Sequence, residues 1–190
     1  AHPITPDDGW YVSIPNPDIT FYLYDGNGIN VSTVRYMVDG VEYTAPPDFD
    51  VGDSIIVHTP AGSWDDGYEV YVAVTQAEDT LGTPLDDPMY HHPAWVFTID
   101  LSPPFVVSTT PMVVYTIGTA IPLITIELTD SFAGIDTDSV SITVNGEEYT
   151  IADDALTYVS GNLQWDAFIA GVELDGEVEV CVNACDDIDM

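Results

Sequence analysis

The sequence predicts an all-β protein: two antiparallel β-sandwiches in tandem, joined by a short Pro-containing linker. Three observations predict it. Nearly every apolar segment alternates with period two and ends in turn residues, the pattern of half-buried strands. Apolar residues rarely recur at i, i+3 and i+4, and 14 Pro with 14 Gly interrupt any long run, so no convincing helix is expected. Finally, the chain repeats itself. Ile19-Thr20-Phe21-Tyr22-Leu23-Tyr24-Asp25 is echoed by Ile124-Thr125-Ile126-Glu127-Leu128-Thr129-Asp130, and Gly28-Ile29 by Gly134-Ile135. Val38-Asp39-Gly40-Val41-Glu42-Tyr43-Thr44 is echoed by Val144-Asn145-Gly146-Glu147-Glu148-Tyr149-Thr150. The offset is 105 residues up to the aspartate (25 to 130) and 106 after it (28 to 134), so one residue is inserted in the loop between. A length of 190 residues then divides into two domains of ordinary size, 1–102 and 103–190.

Taken in order, the first unit starts its repeat with the strand around Ile19–Tyr22. Val34–Val38 and Val41–Thr44 flank Asp39-Gly40, a dipeptide that takes positive φ at both central positions of a tight hairpin. Strands follow at Ser54–His58, Glu69–Thr75 and Trp95–Ile99. Leu101-Ser102-Pro103-Pro104 is the linker, too short for free tumbling, and it suggests a stiff pair of domains. The second unit offers Phe105–Ser108, Ile121–Leu128, then the hairpin Val140–Val144 and Glu147–Ile151 about Asn145-Gly146. Leu156–Val159 and Val178–Val182 complete it.

The composition supports two packed cores and narrows the partners. The chain is 46% hydrophobic, with 11 Tyr, 6 Phe and 4 Trp, so it is no disordered acidic tail. Against 33 acidic residues stands a single basic one, Arg35, and the net charge of -32 repels nucleic acid and anionic membrane surfaces. Such a surface suits high salt, calcium binding or plain solubility; at molar salt the Debye length falls to roughly 3 Å and neighbouring carboxylates hardly interact. No run approaches the roughly 20 apolar residues of a membrane-spanning helix, and no basic-apolar leader is present. A start at Ala1 rather than Met marks a processed product or an excerpt.

The motif Asp, glycine loop, Gly-Ile, Ser/Thr-Val, alternating strand, Asp/Asn-Gly and Tyr-Thr resembles the bacterial immunoglobulin-like domains. Asp66-Gly67 before Val70, Val72 and Val74, and Asp175-Gly176 before Val178, Val180 and Val182, extend the resemblance over most of both units. It implies immunoglobulin-like β-sandwiches, extracellular or on the cell surface, in spacer, adhesive or scaffolding roles. It implies no catalytic apparatus, and partners that are further copies or adjacent repeats of the same kind. The two core cysteines across a Trp of antibody domains are absent.

Aligning the copies exposes a phase offset. Pairing Pro6 with Pro111 and Pro17 with Pro122 leaves the first unit only Ala1–Thr5 to match Pro103–Ser108. The second unit ends at Asp186-Asp187-Ile188-Asp189-Met190, with no counterpart of Trp95–Ile99. Either the sequence is a slice of a longer array, or open edges are completed by strands exchanged between subunits, as in filaments.

Few residues suggest chemistry. Asp25, Asn27 and Asn30 line a glycine loop, and Asp130, Asp136 and Asp138 line its counterpart. Calcium takes six to eight oxygens and could use these, but Asx-turns favour the same residues and the spacing is not an EF-hand. No cofactor other than Ca2+ is suggested, and none is required. His2, His58 and His91-His92 show no convergent metal spacing, and Asp86-Asp87, Asp153-Asp154 and Asp186-Asp187 read as solvated loops. Cys181 and Cys185 cannot bridge within one extended strand, where their Cα atoms would lie about 13 Å apart. A disulfide is still expected, with each other across a turn at Asn183-Ala184 or with a cysteine elsewhere. Trp95 alternates with Phe97 and Ile99 and reads as core, whereas Trp64 and Trp165 lie near turns and could stack on a sugar. The favoured function is a non-enzymatic structural or adhesive spacer; the alternative is a carbohydrate- or protein-binding module with calcium-stabilised loops.

Overall fold

A computed structural model describes residues 2–44, 55–84, 94–112 and 116–188. Ser54, Asp86-Asp87, His91-His92, Asp189 and Met190 lie outside them. Apart from its last three residues, the chain divides into two compact units, Ala1–Leu101 and Ser102–Asp187, each an antiparallel sandwich of the immunoglobulin-like kind. Among the described residues no helix is long and apolar enough to cross a membrane.

The first unit runs β1 (His2–Thr5), β2 (Tyr11–Val12), β3 (Ile19–Tyr22), β4 (Arg35–Val38), β5 (Val41–Thr44), β6 (Ile55–His58), β7 (Glu69–Gln76) and β8 (Ala94–Ile99). One sheet has the order β1-β3-β6 and the facing one β2-β8-β7-β4-β5. Alternation does the sorting. Ile19 and Phe21 of β3, Tyr36 and Val38 of β4, Val70, Val72 and Val74 of β7, and Trp95, Phe97 and Ile99 of β8 all point into one core. The Asp39-Gly40 turn takes φ of 48° and 78°, as a two-residue hairpin of this hand demands. The strand at the start is short rather than lost: His2–Thr5 pairs with β3, with a register shift between Pro3 and Thr5.

The second unit runs β9 (Phe105–Thr110), β10 (Leu123–Thr129), β11 (Ser141–Val144), β12 (Glu147–Thr150), β13 (Leu156–Val159), β14 (Asn162–Asp166), α1 (Ala167–Ala170) and β15 (Val180–Asn183). Its sheets are β13-β14-β10-β9 and β12-β11-β15. Equivalent registers show that the copies share one framework. Phe21 faces Ile56 across β3–β6, and Ile126, 105 residues on, faces Leu163 across β10–β14. Matching positions also carry cis Thr5–Pro6 and Thr110–Pro111 bonds.

Two elements depart from expectation. A helix does exist, one turn long, capped by Asp166 at its start and closed by Gly171 at φ 68°. Four residues are too few for a 3.6-residue period to register, so only the caps could have signalled it. Strand β14 follows a Ser160-Gly161 turn and fills the register expected for a sandwich, with Leu163 and Trp165 fully buried.

Candidate functional site

The glycine loops named by the repeat are built as turns, and their polar groups are spent on that work. In the first unit Asp25 Oδ1 accepts from the Asn27 N–H at 2.7 Å, and Asn30 Oδ1 accepts from Ser32 Oγ at 2.8 Å. Asn27 Nδ2 reaches across to Asp79 Oδ2 at 3.1 Å, while Thr80 Oγ1 donates to the Asn27 carbonyl at 2.6 Å. In the second unit Asp136 Oδ1 accepts from the Asp138 N–H at 3.0 Å, starting a single 3-10 turn. Asp130 Oδ1 accepts from the Phe132 and Gly134 N–H groups at 2.9 and 3.0 Å. Asp138 contributes its backbone N–H to that turn. Among the described residues no three His, Cys, Asp or Glu side chains are grouped to hold a metal ion. Among the loop residues described, Asp130 Oδ2 is buried with no hydrogen-bond partner.

Asp79 was not singled out for this role by the sequence, yet it organises the first unit's loops. Its Oδ1 accepts from the Thr83 N–H at 2.7 Å and the Leu81 N–H at 2.9 Å, and the residue is buried. The Thr83 N–H is the main reason its carboxyl sits below the ordinary 3.8; burial opposes the shift, and Asn27 and Leu81 reinforce it. Because the folded value lies below the unfolded one, this contribution is intact above pH 3.8 and is lost as pH falls through the folded value. Urea melts between pH 5 and pH 3 should therefore show the first unit of Asp79→Asn losing less stability with acidification than the wild type. Equal slopes would count against the Asp79 clamp.

The aromatic centre of each core is a matched pair. In the first unit His58 packs edge-on against Tyr43 at 4.5 Å, and Tyr36 Oη lies 3.2 Å from His58 Nδ1. Burial holds the His58 pKa below 6.5 against an opposing pull from Asp18, and burial with Tyr43 raises that of Tyr36. In the second unit Trp165 occupies the register position of His58, since Ile19 faces His58 and Ile124 faces Trp165. Its ring lies 5.3 Å from Tyr149, the counterpart of Tyr43.

That placement corrects the reading of Trp165 as a sugar platform. The side chain is 0% exposed, so neither ring face meets solvent. The cause is β14, which carries Trp165 inward beside Leu163. Trp64 keeps some exposure, but its Nε1 donates to Asp39 Oδ2 at 2.7 Å and its ring stands edge-on to Phe97 at 6.2 Å. It buttresses the hairpin turn. Cys181 and Cys185 are both exposed and free, so the bridge between them is not formed. Cys181 lies within β15, and the Cys185 N–H donates to Ser139 Oγ at 2.8 Å, which fixes the chain beyond the strand end. Arg35 donates to the carbonyls of Ser32 and Val34.

No protein-family model matches the chain, and no curated protein does. Solved structures resemble it at low identity and low TM-score. Fibronectin(III)-like modules of Clostridium thermocellum CbhA are 16% identical, with a TM-score of 0.46, over 97% of this chain and 85% of theirs. The D00-D0 domain of intimin is 10% identical, with a TM-score of 0.32, over 98% and 86%. A Ca2+-stabilized adhesin with which an Antarctic bacterium binds ice is 15% identical, with a TM-score of 0.31, over 96% of this chain and 46% of the adhesin. At these values each is a likeness of fold.

Proposed function

We propose that this chain is a non-enzymatic, extracellular spacer or adhesive segment, two bacterial immunoglobulin-like modules from a surface array or filament whose partners are further modules of the same kind. One observation supports the reading above the others: the side chains that could have carried chemistry are consumed in holding turns and filling cores. Asp25, Asn27, Asp79 and Asp136 fix loops, Trp64 braces a hairpin, and Trp165 is core. A module that invests its polar residues in rigidity suits a mechanical role. The surface of net charge -32 suits an exterior rich in salt or divalent ions.

Stretching single molecules tests this. Each sandwich should unfold as its own event and release about 30 nm of contour, as roughly 100 residues at about 3.4 Å each must. Extension without two separate unfolding peaks would sink the spacer reading.

A second reading, a binding module with calcium-stabilised loops, is favoured by Asp130 Oδ2, the buried oxygen without a partner. It predicts a melting temperature of the second unit that rises with millimolar calcium beyond the effect of sodium at equal ionic strength. A ligand at about 100 times its Kd adds about 2.7 kcal/mol. Asp130→Asn should remove the increment, and identical curves in the two salts would end this reading.

A further inference from the structure

We propose that His58 is an acid-sensitive latch between the two sheets of the first unit, so that one module of the tandem loosens in mild acid while the other stays closed. His58 ends β6, in the sheet β1-β3-β6, and its side chain meets the β4–β5 hairpin of the facing sheet. It is 8% exposed. Its Nδ1 lies 3.2 Å from Tyr36 Oη on β4, and its ring stands edge-on to Tyr43 on β5 and to Tyr36, at 4.5 and 5.6 Å. Tyr36 and Tyr43 in turn stack on each other at 5.6 Å. One imidazole therefore joins three strands drawn from both sheets.

A neutral imidazole fits that place and a charged one does not. With the ring neutral, Nδ1 accepts the Tyr36 hydroxyl proton. An added proton makes Nδ1 a donor, so that bond must reverse, and a full charge then sits among apolar rings. Among the described residues, the titratable groups facing His58 are Tyr36, Tyr43 and Asp18, the residue before β3. A tyrosine hydroxyl ordinarily stays neutral below about pH 10 and offers no counter-charge. Asp18 is exposed, so solvent screens its attraction, and burial outweighs it: His58 holds a proton less firmly than a free histidine does. Because the folded value lies below the unfolded 6.5, this stabilisation is whole above pH 6.5. It is lost as pH falls below 6.5, and the loss levels off beneath the folded value.

The second unit is built without the latch. Trp165 stands at the register position of His58 and is 0% exposed, and Ile142 stands at that of Tyr36. An indole and an isoleucine take up no proton, so that core is indifferent to the same change. The two modules share a framework and differ in one buried titratable ring. The Asp79 clamp gives way only below pH 3.8, so the two effects fall in separate pH windows.

The test uses the full chain between about pH 7.5 and about pH 5.5, a range centred on the histidine value. Proton NMR should show the His58 ring, identified by its contacts to Tyr36 and Tyr43, titrating below 6.5. Hydrogen exchange read by mass spectrometry, corrected for the intrinsic pH dependence of exchange, reports each unit separately. Protection over Arg35–Val38, Val41–Thr44 and Ile55–His58 should fall by about threefold or more, and by no more than about tenfold per pH unit for a single proton. Protection over Leu123–Thr129 and Asn162–Asp166 should hold. His58→Gln, which accepts the Tyr36 proton but does not titrate, should abolish the fall; His58→Phe serves if the glutamine variant folds poorly. Asp18→Asn, which removes the opposing carboxylate, should enlarge it. A His58 ring titrating at or above 6.5, an equal fall in both units, or a fall that survives His58→Gln or His58→Phe would overturn the proposal. The ring titration is read on the wild type, so it decides the matter even if neither variant folds.

Discussion

Replacing Gly161 with alanine should cost the second unit about 3 kcal/mol, while Gly146→Ala, a change of the same kind, should cost about 1. Both glycines close two-residue hairpins with positive φ, 84° at Gly161 and 86° at Gly146. Alanine is disfavoured at such a φ by a similar amount in each. The surroundings differ. A Cβ on Gly146 meets nothing within 4 Å, but one on Gly161 would lie 2.8 Å from the Leu128 carbonyl oxygen. That contact is shorter than real Cβ atoms tolerate, and the obstacle is backbone. The turn cannot simply move away, because the Leu128 N–H donates to the Gly161 carbonyl at 2.7 Å. Shifting the turn would also pull β14 out of register with β10. For a unit of this size about 3 kcal/mol corresponds to a fall in melting temperature of roughly 12 to 24 °C. Calorimetry of the two variants decides the matter, and equal losses would show that the close approach is unimportant.

Truncating Trp165 to alanine should cost about 4 kcal/mol, a large share of the roughly 5 to 15 kcal/mol that an ordinary domain has. The indole faces Ile124 and Leu156 in the two strands flanking β14 and packs on Tyr149. Its removal leaves a cavity that paired strands on both sides cannot collapse into. Trp165→Phe should lose less than half as much. It keeps an aromatic ring and deletes an indole N–H that is buried without a hydrogen-bond partner. The first unit's transition should be unaffected by either change. Denaturant melts followed by hydrogen exchange over Leu123–Asp166 check the second unit, while fluorescence of Trp10, Trp64 and Trp95 follows the first. A folded Trp165→Ala protein that had lost only glycan binding would restore the stacking role and refute the core assignment.

Strand positions were legible in the sequence wherever backbone conformation and burial are written locally. Asp39-Gly40 and Asn145-Gly146 specify the φ values of their turns, and the alternation in Val140–Val144 or Trp95–Ile99 follows from one face meeting a core. Ser160-Gly161 forms the same class of turn, but Ser is a weaker signal for positive φ than Asn or Asp, so β14 went unread and Trp165 with it. The loop carboxylates were ambiguous for a different reason. An oxygen that caps a turn N–H and one that binds calcium look alike in sequence, and only the positions of Phe132, Gly134 and Asp138 show how Asp130 and Asp136 are used.

By itself the sequence determined the all-β class, the duplicated framework, the hairpins and an acidic surface, because period, turn chemistry and charge are properties of short segments. Tertiary structure alone decided that Asp79 ties two loops together and that Trp165 stands where the first unit has His58. Those facts depend on which distant strands become neighbours. Register across a sheet brings residues a hundred positions apart into equivalent places, and no local pattern carries that information.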